Sequence, residues 1–554
     1  MKRYDVLIAG LGPTGITLAA LLAQRGLRVA AFDKLPGLYP LPRAIGLDHE
    51  AMRLLQQLGL AEAIAPHVAP YRPSEYRGMD GDLIRRLDAA PAPYPLGWAP
   101  NYVFNQPALE HALRDHVANE SDALIQTNCE ITDFGQDDQG VWVQASAVGG
   151  GQKQRFEASY LIACDGGSSP IRKRLGIAFE DLGFDEAWLV VDSIVPDDKL
   201  ADLPQTQVQY CDPVRPATFV VGPGNHRRWE IMLQPGDSTV TPFPEDEIWK
   251  LLDRWVKPGE ITLWRSAAYR FHGLVATQWR DRRILLAGDA AHMTPPFMAQ
   301  GMMQGLRDAL NLSWKLARVL CNEADDTLLD SYEQERRPHT VATTRAAIEL
   351  GRIICERDPA KAAERDTSLR EKYKGETTIR QNMIPNLDAG LLDTTPGHGQ
   401  LFPQPHLAAP VPGVLLDDLT GPAFLLVALH QPAAAEQAEL LTALRPLRGV
   451  LVHLGSSQAG SGNNAKAPSK VSSDCQANTA LSETELKQEE STDGIVLGIV
   501  EAGAVIEPWM RSLGVGYAVV RPDHYVYGTA LNVDDALALL HHLAGQLRRF
   551  KPAH

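Results

Sequence analysis

Three glycine turns concentrate the residues able to do chemistry. Gly10-Leu11-Gly12-Pro13-Thr14-Gly15 has GxGxxG spacing, and Asp33-Lys34 closes the apolar run that comes after it. Glycines so spaced let backbone N–H groups approach a pyrophosphate at a helix N-terminus, and a carboxylate placed like Asp33 accepts from a ribose hydroxyl. The candidate nucleotide contacts are Gly10, Gly12, Pro13, Thr14, Gly15, Asp33 and Lys34. Alone, the motif does not choose FAD over NAD, and it also suits a structural tight turn. Two further turns, Cys164-Asp165-Gly166-Gly167-Ser168-Ser169-Pro170-Ile171-Arg172 and Leu286-Ala287-Gly288-Asp289-Ala290-Ala291-His292, again join glycine to aspartate. Taken singly, Asp165 and Asp289 equally suit turn or helix-cap carboxylates.

The elements that must position these turns are legible from periodicity. Tyr4 to Ala9 reads as a buried strand, Ile16 to Arg25 as a helix and Arg28 to Phe32 as a second strand, a βαβ unit around the first turn. Strands at Tyr160 to Ala163 and Arg283 to Ala287 run into the other two turns. Gly301 to Leu320 reads as a long helix with Leu306, Ala309, Leu310, Leu316, Ala317 and Leu320 on one face. Pro66 to Pro100, rich in prolines and aromatics, reads as loop over a site, and Gln106 to Val117 as a helix. Ala187 to Arg270 is mostly strand-like, a sheet that would hold a substrate. After about Pro403 short apolar strands mark a separate α/β domain, and its stretch 455–494, with almost no large apolar residues, is expected to be a disordered insertion.

Composition narrows the partners. The 554 residues are too many for one small domain, and 53 Lys+Arg against 68 Asp+Glu give a net charge of −15, which repels nucleic acid and acidic membrane surfaces. Six scattered cysteines without CxxC or CxxH imply reduced thiols and no metal site. The apolar stretch Val6 to Ala23 is broken by Gly10, Gly12, Pro13 and Gly15, so neither a signal peptide nor a membrane span is expected, and the location is read as cytoplasmic.

The order of the three turns resembles the class A flavoprotein aromatic hydroxylases, single-component NAD(P)H-dependent monooxygenases with one FAD domain. The similarity continues through Pro42-Arg43-Ala44-Ile45-Gly46, Asn105-Gln106-Pro107 and Tyr332-Glu333-Gln334-Glu335-Arg336-Arg337-Pro338. It implies a Rossmann-like FAD-binding domain (1–185 and 276–400), a β-sheet substrate domain like that of para-hydroxybenzoate hydroxylase (186–275) and a thioredoxin-like C-terminal domain (401–554) that lacks CxxC. FAD is the implied cofactor and NADH or NADPH the co-substrate, with O2 and a small phenolic substrate as partners; a homodimer is left open. Residue by residue, the resemblance implies that Asp289, with Gly288, contacts the FAD ribose and pyrophosphate. It puts Arg43 and Gln106 at the ribityl and phosphate portion and Asp165 in support of FAD. It also places Pro295, Gly301 and Met302 at the flavin ring, where the helix N-terminus would stabilise negative charge. Ala299 and Met303 depart from the GQGxN pattern usual there.

Within the class, Cys211-Asp212-Pro213-Val214-Arg215-Pro216 and Arg227-Arg228-Trp229-Glu230 are most similar to the branch acting on 3-(3-hydroxyphenyl)propionate. The implied reaction hydroxylates the ring ortho to its phenol. Arg215 is a candidate for the substrate carboxylate, Tyr210, Tyr102 and His272 for the phenol, and of Arg227 and Arg228 only one can face inward by strand alternation. For each, a surface or core role competes, and Trp98, Trp188 and Phe297 equally suit a core. His292 reads as a brace for its loop. The rival readings are a hydroxylase or epoxidase of a larger phenol or polyketide, and a flavin-binding scaffold without turnover.

Overall fold

The computed structural model describes residues 3–238, 242–455 and 494–548. Its first sheet runs in the order Arg280–Asp281, Ile284–Leu286, Gln154–Ala163, Arg3–Ala9, Val29–Phe32, Leu124–Gln126, and Val141–Ala147 and Cys129–Gln136 extend from the long central strand. Continuous apolar runs such as Val6 to Ala9 are buried on both faces, in one core with the helix Pro13–Gln24 and with Val143 and Phe156 of the antiparallel strands. Register then does the positioning. Ala9 pairs with Ala163, and Ala163 with Leu286, in parallel strands. The chain therefore leaves all three strands at the same edge, which brings the three glycine turns together.

The helix Pro13–Gln24 follows the first turn, and the helix Gly301–Leu320 crosses it at glycines. A Cβ on Gly305 would lie 2.1 Å from Thr14 Oγ1, and one on Gly288 2.6 Å from the same atom. Thr14 thus fills the junction between the first turn, the third turn and the long helix, and only glycine fits opposite it.

A second, nine-stranded sheet holds His292–Met293, Thr262–Ala276, Phe179–Ile194, His226–Met232, Ala217–Val221, Gln207–Tyr210, Ser74–Arg77, Leu83–Asp88 and Thr377–Ile379 in that order. The expected loop from Pro66 is corrected here: Ser74–Arg77 and Leu83–Asp88 are strands of this sheet, and Val68–Pro70 pairs with Asn101–Phe104. Ser74 and Tyr76 alternate with the half-buried Glu75 and Arg77, but Pro70 and Pro73 just before them obscure that short pattern. One face of the sheet packs Leu189, Val191, Phe219, Trp229 and Ile231 against Ile248 and Leu252 of the helix Glu245–Leu252. Alternation turns Val190, Asp192, Arg228 and Glu230 to the other face.

The C-terminal part forms a six-stranded mixed sheet, Leu407–Ala409, Val496–Glu501, Val450–Leu454, Leu425–Ala428, Tyr517–Val520, Val526–Ala530, with helices Ala434–Leu444, Ile506–Leu513 and Val533–Arg548. The disordered insertion expected over 455–494 lies, apart from its two end residues, outside the described residues. Cys129, Cys164, Cys211 and Cys355 are free thiols. Among the described residues no helix is long and apolar enough to cross a membrane.

Candidate active site

The three glycines of the first turn have different neighbours. Gly10 has φ +94°, and a Cβ there would meet the Cys164 carbonyl oxygen at 2.3 Å; a Cβ on Gly15 would meet the Gly10 carbonyl at 2.0 Å. Both are required by the protein's own backbone. A Cβ on Gly12 would meet nothing within 4 Å. Gly12 is the N-cap of the helix Pro13–Gln24, which has Pro13 in its first turn, no side-chain cap and no acidic residue there. Its uncapped N–H groups and open space suit a phosphate. Asp33 closes the turn from the side, accepting from Leu11 N at 2.7 Å and Leu35 N at 2.8 Å, and Lys34 beside it is exposed.

The structure brings Gln106 to the backbone of Arg43. Gln106 Oε1 accepts from the backbone N–H of Arg43 (3.0 Å) and Ala44 (2.6 Å), while its amide donates to Glu110 Oε1 at 2.7 Å. Gln106 thus anchors the backbone of the 42–44 segment, and the Arg43 side chain is half exposed. Burial raises the Glu110 carboxyl pKa, with Gln106 and Arg43 opposing.

Asp165 has one oxygen, Oδ2, accepting from Ile171 N at 3.3 Å, while Oδ1 is buried without a partner. Desolvation raises its pKa against Ser169 and the Ile171 N–H. Asp289 is accessible from the cleft yet surrounded by protein, so desolvation raises its pKa too, against the charges of His292 and Arg43. Neither carboxyl is fully bonded by the chain, which leaves acceptors for ligand hydroxyls or N–H groups.

The third turn is held by a residue the sequence reading did not single out. Asp308, fully buried on the long helix, accepts from Gly288 N (3.0 Å), His292 Nε2 (2.7 Å) and Arg336 Nε (3.0 Å). Burial alone would raise its pKa, but His292 and Arg336 hold it below the ordinary carboxylate range. His292 is therefore a brace, as expected. The same helix carries Arg307, which donates to Glu50, Asp48 and Gln300 and so fixes the loop before Gly301. The i, i+1 pair Arg307-Asp308 inside a helix that is buried almost all round was the available signal.

At that loop, Pro295 opens the turn and Ala299 adopts φ +54°, a left-handed conformation that suits the usual glycine better. Gly301 and Met302 start the helix partly exposed, whereas Met303 is buried in the core, so the departure from asparagine adds packing.

The substrate candidates separate. Arg228 is buried and fully engaged: Nε and Nη2 bond Asp192 (2.6 and 3.2 Å), Nη1 donates to Arg43 O (2.8 Å) and Nη2 to Pro42 O (3.3 Å). It clamps the sheet to the 42–43 segment. Arg227, also buried, turns to the carbonyls of Gly224 and His226. Arg215 is bonded to Asp237 and to Met232 O. Tyr210 packs on Trp255 beneath Arg254, on the helix-covered face. His272 lies 3.2 Å from Asp185, which Arg270 also binds, in an exposed cluster. Tyr102 accepts from Ala99 N and Trp98 donates to Gln56. Trp188 and Phe297 join Phe271 in one aromatic cluster. The structure thus brings Arg228 to the Pro42–Arg43 segment, whereas Arg215, Tyr210 and His272 are engaged with Asp237, Trp255 and Asp185. A surface hollow of about 610 Å³ lies elsewhere, where Arg280 is already paired with Asp326 and Asp330.

An open phosphate cradle, two desolvated carboxylates and a helix N-terminus at one sheet edge define a dinucleotide-binding fold with an attached sheet domain. A family model described as FAD binding domain matches residues 3–347, and one described as HcaD C-terminal domain matches 399–546. The chain belongs to this FAD-binding family of flavoprotein aromatic hydroxylases. It is 38% identical over 429 residues, 77% of this chain and 79% of the relative, to a Rhodococcus jostii (strain RHA1) protein described as "Probable NADH-specific resorcinol 4-hydroxylase". It is 36% identical over 364 residues, 66% of this chain and 61% of the relative, to the 3-(3-hydroxy-phenyl)propionate/3-hydroxycinnamic acid hydroxylase of Comamonas testosteroni. The fold matches that of aklavinone-11 hydroxylase, solved with FAD and aklavinone, with a TM-score of 0.76 over 99% of both chains at 21% identity.

Proposed function

We propose that this chain is an NADH-consuming, FAD-dependent monooxygenase that adds a hydroxyl ortho to the existing hydroxyl of a meta-substituted phenol. 3-(3-Hydroxyphenyl)propionate and resorcinol are the compounds to offer first. The observation that carries the reading is the convergence of the three glycine turns beside a sheet whose Arg228 grips the Arg43 backbone. The relatives' descriptions support the substrate class, since both name single rings with meta substituents, and one supports NADH.

FAD, when bound, supplies the redox chemistry by which NADH and O2 yield a ring hydroxyl. Gly10, Gly12, Pro13, Thr14 and Gly15 would hold its pyrophosphate, Asp33 and Lys34 its adenosine side, and Arg43, Gln106, Asp165, Gly288 and Asp289 its middle. Pro295, Gly301 and Met302 would face its ring. The uncapped N-terminus of the helix Gly301–Leu320 offers partial positive charge to an anionic ring. The aromatic cluster of Trp188, Phe271 and Phe297 would keep water from one side of the site.

We divide the chain into a nucleotide domain (1–185 and 276–400), a substrate sheet arranged like that of para-hydroxybenzoate hydroxylase (186–275, with 74–88 added) and a thioredoxin-like C-terminal domain (401–554). The parallel unit Leu425–Ala428, Ala434–Leu444, Val450–Leu454, followed by the antiparallel pair Tyr517–Val520 and Val526–Ala530 and a closing helix, supports the last assignment.

The test is NADH-driven oxygen uptake by FAD-loaded protein with each phenol, catalase being added at the end. Strong stimulation with no oxygen returned is expected. Stimulation with oxygen returned would mark an ill-fitting effector, and no stimulation by either phenol would overturn the substrate class.

A further inference from the structure

Cross-strand register sets Val190, Glu230, Thr218, Gln209 and Tyr76 in one row across the nine-stranded sheet. This row lies on the face that carries Asp192 and Arg228, turned toward the Pro42–Arg43 segment. Two of its polar members are satisfied by each other, because the Thr218 hydroxyl donates to Gln209 Oε1 at 2.6 Å. Glu230 differs. Its side chain is only 9% exposed, and its nearest cation, Arg228 Nη1, is 3.8 Å away, beyond hydrogen-bond distance. That same nitrogen already donates to Arg43 O at 2.8 Å. Among the described residues no N–H or O–H donor hydrogen-bonds the Glu230 carboxylate.

Other buried carboxylates nearby are treated otherwise. Asp192 takes bonds from Arg228, His226 and Arg265; Asp48 and Glu50 take them from Arg307; Asp308 has three donors. A nearly buried carboxylate without a donor from the chain is left to water or to a ligand for its hydrogen bonds. Burial also pushes the Glu230 pKa up, with Arg228 and Arg265 opposing and Asp192 adding, which makes the group a stronger acceptor. One guanidinium nitrogen separates it from the Arg43 backbone, so it stands where the sheet meets the proposed cofactor groove.

We propose that the Glu230 carboxylate accepts the phenolic O–H of the substrate, holding the ring against this sheet face and raising electron density at the ortho carbon. The inference rests on the phenol-hydroxylase reading of the site. As that carbon gains oxygen, the phenolic proton passes to Glu230 and an electron pair moves from the phenolic oxygen into the ring. When the ring carbon loses its own hydrogen as a proton, aromaticity returns, and Glu230 gives its proton back to the phenolic oxygen. The carboxylate is unchanged over a turnover, and NADH and O2 balance the electrons and the added oxygen.

The experiment is equilibrium binding to the FAD-loaded protein, followed by the flavin absorbance change, with resorcinol and 1,3-dimethoxybenzene as probes. The second has the same shape near the ring but no O–H. Wild type should prefer resorcinol. Glu230→Gln should weaken resorcinol about tenfold and leave 1,3-dimethoxybenzene unchanged, and Glu230→Asp, which keeps the charge, should recover part of the loss. A carboxylate that served only to balance Arg228 would instead weaken both probes together or lower the thermal midpoint of the holoprotein. That result overturns the inference, as does unchanged resorcinol binding in Glu230→Gln. A wild type that binds FAD but takes neither resorcinol nor 3-(3-hydroxyphenyl)propionate overturns the phenol-hydroxylase reading and the inference with it.

Discussion

Replacing the three glycines of the first turn one at a time by alanine separates folding from cofactor binding. Gly12 has φ −69° and ψ −176°, which alanine adopts freely, and its new methyl would meet no protein atom within 4 Å. Alanine is a poorer N-cap than glycine, costing up to about 1 kcal/mol, and it loses less chain entropy on folding, returning about 0.4–1 kcal/mol. The apoprotein of Gly12→Ala should therefore melt within a few degrees of wild type. The methyl projects into the space assigned to the pyrophosphate, displacing it from one or two charge-assisted N–H bonds worth about 1.5–3 kcal/mol each. FAD affinity should fall about 100-fold, or about 2.7 kcal/mol. Gly15→Ala and Gly10→Ala act differently, because their methyls would lie 2.0 and 2.3 Å from backbone carbonyl oxygens. Both should destabilise the apoprotein by about 3 kcal/mol or more. Stripping the cofactor, measuring apo thermal midpoints and titrating FAD by fluorescence quenching reads both quantities. The reasoning is refuted if Gly12→Ala binds FAD like wild type, or if its apoprotein melts with that of Gly15→Ala.

Other perturbations follow from the same contacts. A Cβ on Gly46 would lie 2.6 Å from the Cβ of Ala299, so Gly46→Ala should cost about 2 kcal/mol in urea unfolding. Ala299→Gly, which removes that methyl and relaxes φ +54°, should restore about 1 kcal/mol or more in the double variant; simple additivity would show that the two methyls do not meet. Asp308→Asn leaves Arg336 without its charge partner at a buried site and should destabilise by about 3–5 kcal/mol while releasing FAD, whereas a loss below about 1 kcal/mol would refute its role as the hub. Burial alone would raise the pKa of Asp192, but Arg228 and His226 hold it at about 2, below its unfolded value. Its contribution, about 2 kcal/mol, is thus complete above roughly pH 4 and lost as pH falls toward 2. Acid unfolding of Asp192→Asn should be flatter across that window than wild type, and equal slopes would rule the contribution out.

What could be read from the sequence was what depends on local chain chemistry. The strand before Gly10, the strand before Cys164 and the helix Gly301–Leu320 follow from apolar runs and spacing, and the helix bounds agree residue for residue. The loop expected from Pro66 failed because the flanking prolines masked a local hairpin, Ser74–Arg77 with Leu83–Asp88, whose other edge is paired by Gln207–Tyr210, a partner remote in sequence. The surroundings of the substrate candidates were hidden for a related reason. Arg215 and His272 were plausible by type, yet Asp237 and Asp185 neutralise them through tertiary contacts. Asp308 escaped notice because a carboxylate inside a helix reads as a solvated residue until its three donors are in place. Of Arg227 and Arg228 only one could face inward, and the contacts that tell them apart are tertiary: Arg228 donates to the Pro42 and Arg43 carbonyls, whereas Arg227 turns to those of Gly224 and His226.

The segment Tyr332 to Arg337 shows how a motif can be specific without touching a ligand. Tyr332 donates to Leu286 O, Glu333 accepts from Trp279 N and Arg337 binds Ala276 O, so three of its side chains hold the strands that lead into the third glycine turn. The adjacent pair works in two directions. Arg336 reaches Asp308, and through it the Gly288 N–H, while Glu335 forms ion pairs with Lys315 (2.8 Å) and Arg521 (2.7 Å), the latter also bonded to Asp523. One helical turn therefore joins the cofactor edge to the Arg521-Pro522-Asp523 turn of the C-terminal part. Fully buried ion pairs of this kind add little net stability, since desolvation offsets their attraction, but a wrongly placed partner is strongly penalised. Their value lies in allowing one arrangement. The C-terminal part can dock only where Arg521 meets Glu335, and that docking fixes the helix that carries both Arg307 and Asp308.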